Sequence, residues 1–347
     1  MDDVQAGFVE AILAAPLGVT LLARIEASAS SSGWVRLERS TPQRVHSAVD
    51  YVESMDVSEL LEIVLRISMS DAGPWVPGAA DTVAAAYLDA RQRAPIAEAI
   101  NKRFAAALHQ PFDPEAQEWW SWSKQVHRAL FRDFDWVYGA GQFTWSGLWT
   151  INKAPERIHE SLVDAWEMVD GPITRWSLPA YSNAPVYEIH RPQDWFELVS
   201  RYPREAARES AYWELPSINQ RPSELTDLLA VDGQKAARRS MTRHHVPDWA
   251  GVAEDYDAVH LSWAGVITSE GYITDTEDGS VAMLRYWFSE RTHWLRDGFQ
   301  DPEPLEAPVI DEARRSSVRQ KPQTESVEQR TARDHALILS LLGRVEG

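Results

Sequence analysis

The chain has 347 residues, 44% of them hydrophobic and 25% charged, with 16 tryptophans, no cysteine and a formal net charge of −18. That length can bury a sizeable core and predicts about two domains, while the missing thiols exclude disulfides, thiolate metal sites and cysteine nucleophiles together. Negative charge on each of residues 1–110, 111–300 and 301–347 (net −5, −11 and −2) disfavours general nucleic-acid binding and anionic membranes.

Residues 1–110 read as a helical bundle. Phe8, Ile12, Leu13, Leu17, Leu21 and Leu22 recur at helical spacing. Thr41-Pro42 supplies a cap and an N1 proline before the next helix, and Asp56 caps a helix from Val57 to Met69. Alanine-rich stretches from Ala79 to Arg93 and Ile96 to His109 predict close helix packing. No apolar run reaches the roughly 18 residues of a transmembrane helix. The acidic start Met1-Asp2-Asp3 is unlike a secretory signal, so a cytoplasmic location is expected.

Residues 111–184 form a Trp-rich segment, read as helix, hairpin and helix. Pro111-Phe-Asp-Pro114 punctuates the chain. A helix is predicted from Glu115 to Phe134, a β-hairpin from Trp136 to Trp149 around Gly139-Ala-Gly141, and a helix from Pro155 to Val169. Fourteen of the 16 tryptophans lie between Trp119 and Trp294. They either build an aromatic core or present a stacking surface, for which Trp145 and Trp263 are candidates.

Residues 185–299 read as an α+β unit and the expected seat of function. Val186–His190 is a strand, Arg191-Pro192 opens a helix through Val199, and Asp248 caps a short helix to Glu254. Strands are predicted over 258–263, 264–269, 272–274, 283–288 and 292–295. Residues 300–331 are rich in Pro, Glu, Arg and Ser and predict a disordered linker, and residues 332–347 carry an amphipathic helix that could engage a partner or a second copy. The expected fold is therefore α+β: an N-terminal helical bundle, then a mixed unit with a short, mainly antiparallel sheet.

Two groupings could carry ligand chemistry. Arg238, Arg239, Arg243, His244 and His245 form a local basic reversal in an acidic chain, suited to a phosphate or carboxylate. The same cations also suit a helix C-terminus. His190, Arg191, His260, Ser262 and Glu270 lie at or beside strand ends. This order resembles that of ADP-ribosyltransferases, in which a strand-end group grips the dinucleotide and a late Glu supports an oxocarbenium-like transition state. The Ser-Thr-Ser and Glu-x-Glu signatures of that family are missing. Asp255-Tyr-Asp257 resembles the short acidic motif of sugar-nucleotide transferases. Glu270, Asp257 and His260 are the catalytic candidates, and Arg191 joins the basic cluster as a ligand contact. No metal site is indicated and the sequence leaves the cofactor unknown; Gly-x-Gly-x-x-Gly, Walker, Gly-x-Ser-x-Gly and His-Glu-x-x-His motifs are all missing. The leading expectation is a binding or adaptor protein for a small-molecule anion or a protein partner, self-associating through its C-terminal helix. The alternative is a transferase using a nucleotide or sugar-nucleotide.

Overall fold

The computed structural model describes residues 7–30, 39–70, 83, 86–121, 148–165, 173–205, 244–284 and 287–308. The N-terminal part is helical: α1 (Phe8–Ala14), α2 (Pro16–Ser30), α3 (Pro42–Ser54), α4 (Val57–Ser70), a 3-10 turn (Ala90–Arg93) and α5 (Ala94–Leu108). The local chemistry explains these boundaries. Ala15 is extended because Pro16 follows it, and Pro16 then starts α2, so α1 and α2 meet at 91°. Gly18 permits that tight corner, since a Cβ there would stand 2.2 Å from the Ile12 carbonyl oxygen. Thr41 Oγ1 accepts from the Arg44 amide at 3.3 Å, and Asp56 Oδ1 accepts from the Glu59 amide at 2.9 Å, as the caps predict. Helix α2 is buried from Pro16 to Ala23 and at Ile25 to Ala27, which makes it the centre of the bundle.

The rest is built around two sheets. Strands β1 (Gln117–Ser121), β2 (Leu148–Asn152), β3 (Thr174–Ser177), β4 (Val186–Ile189), β5 (Pro203–Glu205), β6 (His244–Pro247), β7 (Ala258–Leu261), β8 (Ile273–Asp275), β9 (Val281–Met283), β10 (Arg291–Trp294) and β11 (Glu303–Leu305) alternate with α6 (His159–Ala165), α7 (Pro192–Arg201), α8 (Trp249–Asp255) and α9 (Trp263–Ser269). One sheet has the order β11-β3-β1-β2-β10-β7-β4, the other β5-β6-β9-β8. All pairings are antiparallel except β4–β7 and β6–β9. The fold is thus α+β, with helices first and mixed, mainly antiparallel sheets after. A single hydrophobic cluster runs from Phe8, Leu21 and Ile100 in the helices to Trp120, Val259 and Trp249 in and beside the large sheet. Among the described residues no single helix is long and apolar enough to cross a membrane; α1 and α2 reach the length only as a bent pair.

Several local expectations are corrected. Residues 117–121, predicted as part of a helix, form β1 between β2 and β3. Gln117, Glu118, Trp119 and Trp120 are all buried, so both faces of this strand are covered and no period of two appears in the sequence. Conversely, residues 264–269, read as a strand, belong to α9, whose seven residues are all buried and hide the helical period. The strand expected over 283–288 ends at Met283, and Phe288 has a positive φ of 60°. Residues 303–305, placed in the linker, pair with β3 as β11. The hairpin lies outside the described residues except for 148–149 in β2, as do the remainder of the linker beyond 308 and the C-terminal helix.

Candidate functional site

The parallel pair β4–β7 delivers two helices to one edge of the large sheet. Strand β4 ends at His190-Arg191, Pro192 takes the first helical position, and Asp194 anchors the turn. Asp194 Oδ2 accepts from the backbone amides of His190 (2.8 Å) and Arg191 (3.1 Å), and its Oδ1 accepts from Arg191 Nε at 3.1 Å. Alongside, β7 ends at Ser262, whose Oγ accepts from the Gly265 amide at 3.1 Å and so caps α9. Gly265 must be glycine for α9 to reach β4, because a Cβ there would lie 2.4 Å from the Ile189 carbonyl oxygen.

A cavity of about 400 Å³ opens at this edge. Its walls include Phe8 of α1, His109 after α5, His190 and Arg191 before α7, and Tyr272 and Thr274 at β8. It therefore lies between the helical part and the α+β part. The crevice beyond the carboxyl ends of parallel strands is a favoured ligand position in α/β sheets, here in a miniature two-stranded version.

His190 is held at both ring nitrogens. Nε2 faces Glu188 Oε2 at 3.1 Å, and Nδ1 faces Ser262 Oγ at 3.0 Å. A carboxylate only accepts, so Nε2 donates to Glu188, while the single proton of the Ser262 hydroxyl points to the Ile189 carbonyl at 3.3 Å. Burial alone would raise the Glu188 carboxyl. The hydrogen bonds from His190 and the Phe112 amide and the nearby His260 outweigh it and hold Glu188 below the usual carboxylate range. Ser262, His190 and Glu188 have the order of a nucleophile, base and acid. Ser262 is fully buried, however, and its Oγ is committed to the Gly265 amide, the imidazole and the Ile189 carbonyl (3.3 Å). It is a cap that fixes the imidazole rather than a nucleophile facing the cavity.

Behind His190 a polar row crosses the sheet. Glu188, His260, Thr292, Thr150 and Trp119 are successive partners on β4, β7, β10, β2 and β1. His260 Nδ1 lies 2.9 Å from Thr292 Oγ1 and 3.6 Å from Glu290 Oε1. The chain between α5 and β1 covers this row. The Phe112 amide donates to Glu188 (3.0 Å), the Asp113 amide donates to Asn152 Oδ1 (3.1 Å), and the Phe112 ring meets His260 and Trp294 edge-on, each at 5.9 Å. Burial pushes His260 down to about 4 and Glu290 up to about 8, so both are neutral near pH 7. Burial, with the neighbouring His190, also pushes His109 down to about 4.

The candidates read from the sequence divide clearly. Arg191 lines the cavity. Its Nε is paired with Asp194, while its two terminal amino groups make no hydrogen bond among the described residues, and its side chain is 42% exposed. His260 is fully buried in the polar row. Asp257 precedes it by three residues of extended chain, about 10 Å, and faces Arg296 at 3.6 Å. Glu270 closes α9 at the end opposite Ser262, about 12 Å away for eight helical residues, and accepts from the Trp287 amide at 3.3 Å. Trp263 is core at 8% exposure. His245 lies on β6 with Nε2 3.6 Å from Asp278 Oδ2, and the His244 backbone pairs with Val281. Arg238, Arg239, Arg243 and Trp145 lie outside the described residues.

The sequence reading missed Glu188, His109 and Tyr272. Glu188-x-His190 was readable, since residues two apart on a strand share a face. His109 and Tyr272 reach the cavity only through tertiary packing and leave no local signal. Among the described tryptophans, Trp119, Trp120, Trp195, Trp249, Trp263, Trp287 and Trp294 are buried, Trp176 is half-buried, Trp149 stacks on His293 at 4.4 Å, and none lines this cavity.

Among the described residues, no cluster of three or more His, Cys, Asp or Glu side chains is arranged to hold a metal ion. Compared with family models, curated proteins and solved structures, the chain matches none.

Proposed function

We propose that the chain binds a small anionic molecule in the cavity at the β4–α7 turn, with Arg191 as its charged contact. The observation that carries this reading is the Arg191 guanidinium: held in place through Nε by Asp194, it leaves its two terminal amino groups uncommitted at the wall of a cavity of about 400 Å³. A guanidinium fork suits a carboxylate or phosphate. The volume falls in the lower part of the roughly 300–1,000 Å³ range of ligand pockets, which suits one small molecule better than a whole dinucleotide. The start of α7 adds its partial positive charge on the same side.

Binding is favoured over transferase chemistry, because both nitrogens of His190 are engaged within the protein. The test is a thermal-shift screen of the full chain against AMP, ADP-ribose, citrate and inorganic phosphate. A ligand at 100 times its Kd stabilises by about 2.7 kcal/mol, and Arg191→Ala is expected to weaken it by roughly 10- to 100-fold, the worth of a charge-assisted hydrogen bond. A shift that survives unchanged in Arg191→Ala would refute the assignment.

A further inference from the structure

We infer that the ligand of this cavity is an oxyanion carried on a polyhydroxylated skeleton, a sugar phosphate or a sugar acid. The inference rests on the anion-binding reading and comes from the walls opposite Arg191. The carboxylate among the lining residues, Glu10, is already paired with Arg91 at 2.9 Å, so Arg191 is the charge in the lining left to meet a ligand. Around it stand uncharged groups with unused hydrogen-bonding capacity. Among the described residues, the Tyr272 and Thr274 hydroxyls make no hydrogen bond to protein, and the Thr268 hydroxyl spends its proton on the Ala264 carbonyl at 2.7 Å and keeps its acceptor capacity. Both ring nitrogens of His109 are shielded from solvent and have no hydrogen-bond partner among the described residues. The ring rests edge-on against Phe8 at 5.3 Å.

Each of these groups both complements a hydroxyl and fails to complement a second charge. A hydroxyl donates and accepts, and so does a phenol, a threonine hydroxyl or a neutral imidazole. A polyanion would meet one cation and then carry its remaining charge against Glu10. An apolar acid would strand several polar groups, at about 1–3 kcal/mol for each one left unsatisfied. The Phe8 and Tyr272 rings and Pro192 supply the apolar surface on which the C–H face of a sugar ring packs.

The experiment is calorimetric titration of the full chain with inorganic phosphate, glucose, glucose 6-phosphate and glucuronate. Glucose 6-phosphate or glucuronate is expected to bind at least 10-fold tighter than inorganic phosphate, and the better of the two identifies the oxyanion. Tyr272→Phe and His109→Phe should each weaken the sugar ligand by roughly 10-fold while leaving inorganic phosphate unchanged. Arg191→Met should weaken every anion. Should His109→Phe fail to fold, Tyr272→Phe, which removes a single oxygen, decides. If the sugar ligands bind no tighter than inorganic phosphate, or Tyr272→Phe binds them unaltered, the sugar assignment is overturned; continued loss in Arg191→Met would then leave the anion reading standing. If no probe binds, or Arg191→Met binds all of them normally, both readings fall.

Discussion

Single residues in this chain are governed by burial, and the titratable ones show its sign most clearly. His260 and His293 are fully enclosed, and burial pushes them to about 4 and about 3; Glu290 is pushed to about 8. The two directions have opposite consequences for stability. An imidazole whose folded value lies below its unfolded 6.5 contributes stability that is present above pH 6.5 and lost as the pH falls towards 4 or 3. A carboxyl whose folded value lies above its unfolded 4.5 behaves in reverse: its contribution is complete below pH 4.5 and is lost as the pH rises towards 8. The depressed imidazoles, His109 among them, outweigh the one carboxyl below pH 6.5, and the carboxyl acts alone above it up to about pH 8. Stability is therefore expected to peak near pH 6.5, with each buried group worth on the order of 3 kcal/mol across its window. Glu290→Gln keeps an acceptor for the Asn152 amide, 3.0 Å from Glu290 Oε1, and removes the titration. Urea midpoints measured from pH 4.5 to 8.5 should lose their alkaline decline in this variant. An alkaline limb identical in both proteins would contradict the burial of Glu290 as a neutral acid.

At the scale of elements, local chemistry wrote some boundaries into the sequence and tertiary burial erased others. Thr41-Pro42, Asp56 and Arg191-Pro192 announce α3, α4 and α7 because caps and prolines act within a few residues. Strand β4 was equally readable, as Val186, Tyr187 and Ile189 are β-formers bounded by a proline on either side. Strand β1 and helix α9 were misread for one reason, complete burial, which removes the polar half of any periodic pattern. The candidate site shares this division. Arg191 was legible as a strand-end cation, whereas His109 and Tyr272 were not, since the sequence does not state which helix end meets which strand. Gly265 is where an element boundary controls the site. Gly265→Ala places a methyl group 2.4 Å from the Ile189 carbonyl oxygen, so α9 must move away from β4 and loosen the Ser262–His190 contact. The expected cost is about 2–3 kcal/mol, in the range of overpacking substitutions, measured by urea unfolding. A variant as stable as the parent would show that α9 does not sit this close.

For the whole molecule, the arrangement that matters is how the helical and sheet-rich parts share one boundary. Their side chains belong to one hydrophobic cluster, and the cavity draws Phe8 and His109 from the first part and His190, Arg191, Tyr272 and Thr274 from the second. The polar row from Glu188 to Thr150 lies behind the cavity and beneath the α5–β1 connection, so the same connection that presents His109 also seals the sheet. On the proposed reading, an anion sits at this shared boundary on Arg191. The most direct measurement is an anomalous difference map from crystals soaked in selenate, an oxyanion with a strong X-ray signal. A selenium peak is expected within hydrogen-bonding reach of the Arg191 guanidinium, and it should be lost in crystals of Arg191→Ala. Selenate bound only elsewhere, or a peak at this position that persists in Arg191→Ala, would contradict it.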